Sequence, residues 1–265
     1  MENTRGKNAF YLSIPFERHE EGIDFVVRNG FQLEIRMTKV DHMMSLGRED
    51  LGRIREKIDG FGLSVFTHGP FFGLDVASLD RNISEYSARC ISHGLDVTRA
   101  LGGKVMVIHT GYLPLFSRGG KKHWLRNWAE RMPAIAGKAG ECGVTLALEN
   151  TWDDEPEVLL RLADLAGSDN IGFCLDVGHV NVFSKLPLER WWDALSPRAA
   201  ALHIHDNDAV SDDHMVPGDG TFDFARLGLL LRGLGRPLLL DLEVDMASAV
   251  ESRARLEGYF AWNGE

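Results

Sequence analysis

The sequence predicts an α/β fold: a closed (β/α)8 barrel of the TIM type, one domain over residues 1–265. Three observations predict it. An apolar, β-leaning run followed by a helix-like segment recurs eight times along the chain. The runs, such as VMVIH at 105–109, TLALE at 145–149 and LLLDLE at 238–243, are nearly continuous in apolar residues, as strands covered on both faces are. Chemistry-bearing residues fall at the C-terminal ends of these runs, the end at which such barrels carry their sites.

In chain order the strands are read at 9–14, 31–36, 63–68, 104–109, 144–149, 171–176, 199–205 and 237–243. Between them apolar residues recur at helical spacing: Leu51, Ile54 and Ile58; Ile91, Leu95 and, more loosely, Leu101. The segment 124–142 continues the pattern through Trp124, Trp128, Met132, Ile135 and Ala139. Val158, Leu159, Leu162 and Leu165 follow it, then Phe224, Leu227, Leu230 and Leu231. The aromatic and Met positions on these faces read as core. Gly62, Gly103 and Gly143 stand just before strands, where a helix-ending turn needs a glycine. An open, doubly wound sheet would also alternate. It would more often show a glycine-rich phosphate turn after the first strand, and Ser13-Ile14-Pro15-Phe16 is not one.

Composition narrows the class. An apolar fraction of 44% and a charged fraction of 26% are those of an ordinary globular chain, and no run approaches a membrane span. The opening MENTRGKNAF has no apolar core of a secretory signal, so a cytoplasmic location is expected. Cys90, Cys142 and Cys174 lack CxxC spacing and read as small buried hydrophobes in a reducing compartment. A formal net charge of −10 disfavours a polyanionic partner such as nucleic acid. That argument weakens where carboxylates hold cations, because the local sign then inverts.

His68, His109, Glu149, Asp176, His203 and Glu243 end or nearly end strands three to eight. His179 follows Asp176 by three residues. Asp212 and His214 lie on the long loop after strand seven; segment 202–220, which contains them, carries three histidines and five aspartates. Barrel strands converge, so these side chains meet in one basin. Carboxylates that close repel unless cations neutralise them. Mixed imidazole and carboxylate donors suit Zn²⁺, Mn²⁺ or Co²⁺ better than Ca²⁺. Strand periodicity turns His203 and His205 the same way, and likewise Asp241 and Glu243, so spacing leaves the ligand of each pair open.

With HGP at 68–70, HTG at 109–111, ENT at 149–151, CLDVGH at 174–179, HIHDND at 203–208, DDHMVPGDG at 212–220 and LE at 242–243, the chain resembles the xylose-isomerase-like barrels. These include sugar epimerases, inosose-processing enzymes and endonuclease IV. In the sugar-converting members, the resemblance implies, one divalent ion is held at Glu149, Asp176, His203 and Glu243. There Glu149 and Glu243 also serve as acid and base, and His179 contacts the substrate. The resemblance thus favours His203 over His205 and Glu243 over Asp241. It places His68, His109 and Glu155 as further substrate contacts. The arginine that ketose epimerases carry shortly after the strand-seven histidine is absent, Ala209 standing there, which argues against a free-ketose epimerase of that type. All nine ligands of the three-zinc cluster of endonuclease IV also find a match: His68, His109, Glu149, Asp176, His179, His203, Asp212, His214 and Glu243.

The expected function is a divalent-metal-dependent isomerase or epimerase of a sugar, sugar phosphate or polyol. It would work by proton abstraction α to a carbonyl through a metal-stabilised enediolate, with one ion and room for up to three. The competing reading is an endonuclease IV-like phosphodiesterase with a di- or trinuclear zinc site. A metal-holding barrel without catalysis ranks third. The basic residues Arg118, Lys121, Lys122 and Arg126 read as a solvated helix start rather than a phosphate-binding patch. The expected partner is a small carbohydrate, no membrane is involved, and a homo-oligomer is compatible with all three readings.

Overall fold

The computed structural model describes residues 9–260. The N-terminal stretch read for a secretory signal lies almost wholly outside them. Eight strands close into one parallel barrel in sequence order, β1 pairing with β8. They are β1 (Phe10–Pro15), β2 (Gln32–Arg36), β3 (Val65–His68), β4 (Val105–His109), β5 (Thr145–Glu149), β6 (Ile171–Asp176), β7 (Ala199–Ile204) and β8 (Leu239–Leu242). The outer ring is α1 (His19–Asn29), α2 (Val40–Ser45), α3 (Arg48–Gly60), α4 (Arg81–Leu101) and α5 (Arg118–Cys142). It continues with α6 (Glu157–Ala166), α7 (Val177–Phe183), α8 (Leu188–Leu195), α9 (Phe224–Gly233) and α10 (Met246–Phe260).

Most strands begin one or two residues later than the apolar runs do, for a specific reason. The N–H groups of Phe31, Leu63 and Val144 turn back to the carbonyls of Val26, Ile58 and Ala139, 2.9–3.0 Å away. These residues close the preceding helices and cannot yet pair in the sheet. Gly62 and Gly143 hold the left-handed turn, with φ of 65° and 64°. After α4 that residue is Gly102, φ 84°, not Gly103, whose N–H instead closes onto Thr98 O at 2.9 Å. Either member of a tandem glycine fits a left-handed turn, and the sequence cannot choose between them.

Strand alternation sorts the core into two layers. Leu12, Leu33, Ile35, Met106, Leu146, Phe173, Leu202 and Leu240 face the helices in one continuous cluster. Tyr11, Phe66, Val107, Ala147, Cys174 and Ala201 form a separate cluster inside the barrel. Small residues on β5 to β7 face the large rings of Tyr11 and Phe66, so the floor is packed rather than hollow. Going up each strand by two, the inward positions become Ser13, Glu34, Arg36, His68, His109, Glu149, Asp176, His203 and Asp241. Register locks them side by side: His109 against Glu149, Asp176 against His203, His203 against Asp241. The polar set therefore sits over an apolar plug at the C-terminal mouth. The three cysteines are free and buried. Among the described residues no helix is long and apolar enough to cross a membrane.

Candidate functional site

The mouth of the barrel opens into a cleft of about 670 Å³ that reaches His68, His109, Glu149, His179, Asp212, His214 and Glu243. A larger hollow of about 960 Å³ lies outside the barrel between α4 and α5, but no comparable cluster of donors lines it, so size alone does not mark the site.

Glu149 is the hub. Its Oε2 lies 3.1 Å from His68 Nε2 and 3.2 Å from His109 Nε2, and its Oε1 lies 3.0 Å from His203 Nδ1. The same His203 nitrogen is 3.7 Å from Glu243 Oε1 and 3.9 Å from Asp176 Oδ2. Burial alone would raise the Glu149 pKa; His203 and His109 outweigh it and hold the carboxyl well below the ordinary range. Burial likewise opposes a charge on His203, and the acidic groups around it raise its pKa well above an ordinary histidine's. His109 goes the other way, burial keeping it below the usual value.

Tautomers are set by the main chain. His68, His179 and His214 direct Nδ1 at the carbonyls of Gly69, Asn150 and Glu243, at 2.8, 2.8 and 2.7 Å. A carbonyl oxygen only accepts, so each ring carries its proton on Nδ1 and turns Nε2 to a carboxylate. The facing atoms are Glu149 Oε2 for His68, and Asp212 Oδ2 at 3.2 and 3.4 Å for His179 and His214. Two acceptors so placed need a proton or a cation between them. Burial lowers the pKa of both rings by itself. The charge of Asp176 and the bond to Asp212 nonetheless raise His179 to about 10, and Asp212 with Glu243 raises His214 to about 9. An imidazole whose far nitrogen is held by the backbone is also how proteins commonly orient a metal ligand. Donor atoms of Glu149, Asp176, His203 and Glu243 lie within 4.8 Å of one another, and all four residues are buried. Groups of three with the same spacing are His68, His109 and Glu149; Asp176, His179 and His205; and His205, Asp212 and His214, while Glu34, His203, Asp241 and Glu243 form a second group of four. This donor set fits a divalent cation.

Local structure explains the placement. Asp176 caps α7, its Oδ1 accepting the His179 N–H at 2.7 Å, which sets the three-residue spacing. Asn150 ties β5 to β6 by two bonds of 2.8 Å, one each way, with the main chain of Asp176. On the loop after β7, Asp206 accepts the N–H groups of Asn207, Gly218, Gly220 and Phe222 at 2.8–3.1 Å. Asp206 also bridges to Met215 in antiparallel fashion, which fixes the stem of the loop carrying Asp212 and His214.

The structure thus brings together every residue expected at the site but one. Glu155 is exposed and lies outside the cleft lining; the neighbouring Asp154 pairs with Lys185 instead. Arg118, Lys121, Lys122 and Arg126 sit on the outside of α5, in a separate hollow with Arg161. Both members of each ambiguous strand pair face inward. His205 meets Asp176 and Asp212 at 3.3 and 3.5 Å. Asp241 stays below, fully buried and without a hydrogen-bond partner for its carboxylate among the described residues. Sequence reasoning missed Glu34 and Arg36. The apolar neighbours Leu33 and Ile35 carry the signal, because they take the helix-facing positions and leave 34 and 36 to face inward.

The model of the xylose isomerase-like TIM barrel family matches residues 23–258, and the chain belongs to that family. The uncharacterised protein MJ1311 of Methanocaldococcus jannaschii is 25% identical over 223 residues, 81% of this chain and 76% of its own. A probable endonuclease 4 of Mycobacterium leprae is 23% identical over 68% of this chain and 73% of its own. Among solved structures, the TTHB071 protein of Thermus thermophilus, soaked with ZnCl2, is 28% identical with a TM-score of 0.80, covering 98% of this chain and 100% of its own. A D-tagatose 3-epimerase-like protein, 22% identical over 94% of this chain and 97% of its own, has a TM-score of 0.83 and shares the fold.

Proposed function

We propose that the protein is a divalent-metal-dependent isomerase or epimerase of a sugar, sugar phosphate or polyol. The observation that carries this is the convergence of Glu149 and Glu243 on one nitrogen of His203, from strands three apart around the barrel, at the floor of an open cleft. Glu149, Asp176, His203 and Glu243 would hold the ion. A divalent ion there supplies Lewis-acid polarisation of a carbonyl and its neighbouring hydroxyl. One glutamate takes the proton from the carbon next to that carbonyl and the other delivers a proton to the opposite face or the adjacent carbon. Against burial, which would raise its pKa, His203 and His214 and then Arg36, whose Nη1 lies 3.6 Å from its Oε1, keep Glu243 ionised and able to accept a proton. Trp152 and Phe72, exposed at the rim, give apolar faces on which a sugar ring can stack. The likeness to a D-tagatose 3-epimerase-like protein and to a zinc-soaked barrel supports this reading.

Incubating metal-loaded protein and a panel of sugars and sugar phosphates in deuterated water tests it, with C–H exchange read by mass spectrometry. Exchange is expected for one member of the panel, and Glu243→Gln should lower it about 10²-fold or more. A second reading, a phosphodiesterase, is favoured by the nine converging metal-type residues and by the endonuclease 4 relatives. Nicking of an abasic-site duplex, with no exchange in any sugar, would replace the first reading by the second.

A further inference from the structure

The acidic part of the cleft is built largely by β5 to β8, and at the edge where β1 joins β8 to β2 basic side chains come in beside Glu243 and Asp245. Arg36 ends β2 with its side chain three-quarters buried and its Nε fully buried, and that nitrogen has no hydrogen-bond partner among the described residues. Its 3.6 Å approach to Glu243 is a Coulombic contact, too long for a hydrogen bond. Ser13 lies on β1 between those two strands, 4% exposed, and its Oγ also lacks a partner among the described residues. Both residues line the cleft, and Arg18 lines it just beyond them. A buried guanidinium N–H and a buried hydroxyl without partners are costly to leave unmatched. The fold tolerates both at one edge of an open cleft, where an incoming group can satisfy them.

We propose that this edge is an oxyanion subsite: Arg36 and Ser13 receive a carboxylate or phosphate carried by the substrate. The chemistry of the pair selects that class. A planar guanidinium matches two oxygens of a carboxylate or phosphate, and a serine hydroxyl adds a third donor; a neutral hydroxyl fills only part of the set. Glu243 and Asp245 line the same edge, so the anion is held where it takes Arg36 as a hydrogen-bonded partner, which Glu243 at 3.6 Å is not. The anion docks there, and the uncharged reacting carbons extend toward Glu149 and Glu243. Binding energy from this remote group then orients the substrate at the carboxylates. The inference deepens the sugar-converting reading by restricting it to acidic sugars, and it rests on that reading only in taking this cleft as the substrate site.

Titration calorimetry on metal-loaded protein, with activity left out, tests it. The probes are inorganic phosphate, D-ribulose 5-phosphate against D-ribulose, and D-glucuronate against D-glucose; the two pairs separate phosphate from carboxylate. The charged member of at least one pair should bind more tightly than its neutral counterpart. Arg36→Gln should weaken it about 10- to 100-fold, the scale of losing a charge-assisted pair. Arg36→Lys should restore part of the loss, and Ser13→Ala should weaken binding severalfold. Because Arg36 also approaches Glu243, metal content is measured in every variant, and Ser13→Ala, whose native hydroxyl has no hydrogen bond to Glu243, separates loss at the subsite from an anion resting on the ion. Equal affinity for charged and neutral members, or full retention in Arg36→Gln at unchanged metal content, would overturn the subsite. It would leave the isomerase reading to its exchange experiment.

Discussion

Glu34 is a fully buried carboxylate on β2, and its Oε1 stands 3.2 Å from His203 Nε2. The opposite nitrogen of that ring faces Glu149, Asp176 and Glu243. With Nε2–H given to Glu34, the lone pair of Nδ1 points at the proposed ion, and the carboxylate behind the ring makes it a stronger donor. Burying an anion this deeply costs several kcal/mol unless something positive offsets it, and no basic side chain hydrogen-bonds to Glu34 among the described residues apart from His203. Glu34→Ala should therefore weaken metal binding about 10- to 100-fold, and Glu34→Gln, which keeps an acceptor, by less. Competition with a chelating dye measures both. Affinities equal to the parent protein would show that Glu34 does not act through His203.

At the scale of elements, Asp176 has two jobs that a pair of variants separates. Its Oδ1 caps α7. Its Oδ2 has no hydrogen-bond partner among the described residues and lies among the donors of the central cluster. Asp176→Asn keeps a capping oxygen but loses the charge. Asp176→Ala loses both and should cost about 1 kcal/mol more in metal-free stability. Both should lose the ion, so equal metal content in all three proteins would remove Asp176 from the site. The DVGH spacing that made this residue readable from sequence is the spacing of a helix cap. The order of strands and helices was readable for a similar reason, since a period of two and a period near 3.6 leave separate marks. Ends of elements were less so: Leu63 and Val144 look like strand residues, yet their N–H groups close helices.

For the whole molecule, removing the ion and changing the pH are linked. Without metal, protons on His179 and His214 neutralise Asp212. Their pKa values, about 10 and about 9, lie above the roughly 6.5 of an unfolded histidine. A raised histidine pKa adds stability that is complete below about pH 6.5 and is lost as the pH climbs through 9 and 10. Chelator-treated protein should thus lose melting temperature from pH 7 to 10. Metal-loaded protein in which a second ion is held by His205, Asp212 and His214 should fall less, because that ion replaces those protons, and at pH 8 it should melt higher, by about 2.7 kcal/mol of added stability at a hundred times Kd. Parallel melting curves across pH would exclude the linkage. The strand-end histidines and carboxylates of this network were legible because they interrupt apolar runs. Glu34 and Arg36 were not, since QLEIR reads as an ordinary amphipathic strand until a closed barrel turns one of its faces inward. Glu155 failed for the opposite reason: it lies beyond the strand, where a loop and not the sheet decides direction. The loop stem closed by Asp206 bears on how ligands arrive. Four main-chain N–H groups gathered on one carboxylate tie the base of the segment bearing Asp212 and His214. A loop tied at its base has less disorder to give up on meeting a ligand than a free lid would, which lowers the entropic cost of capture.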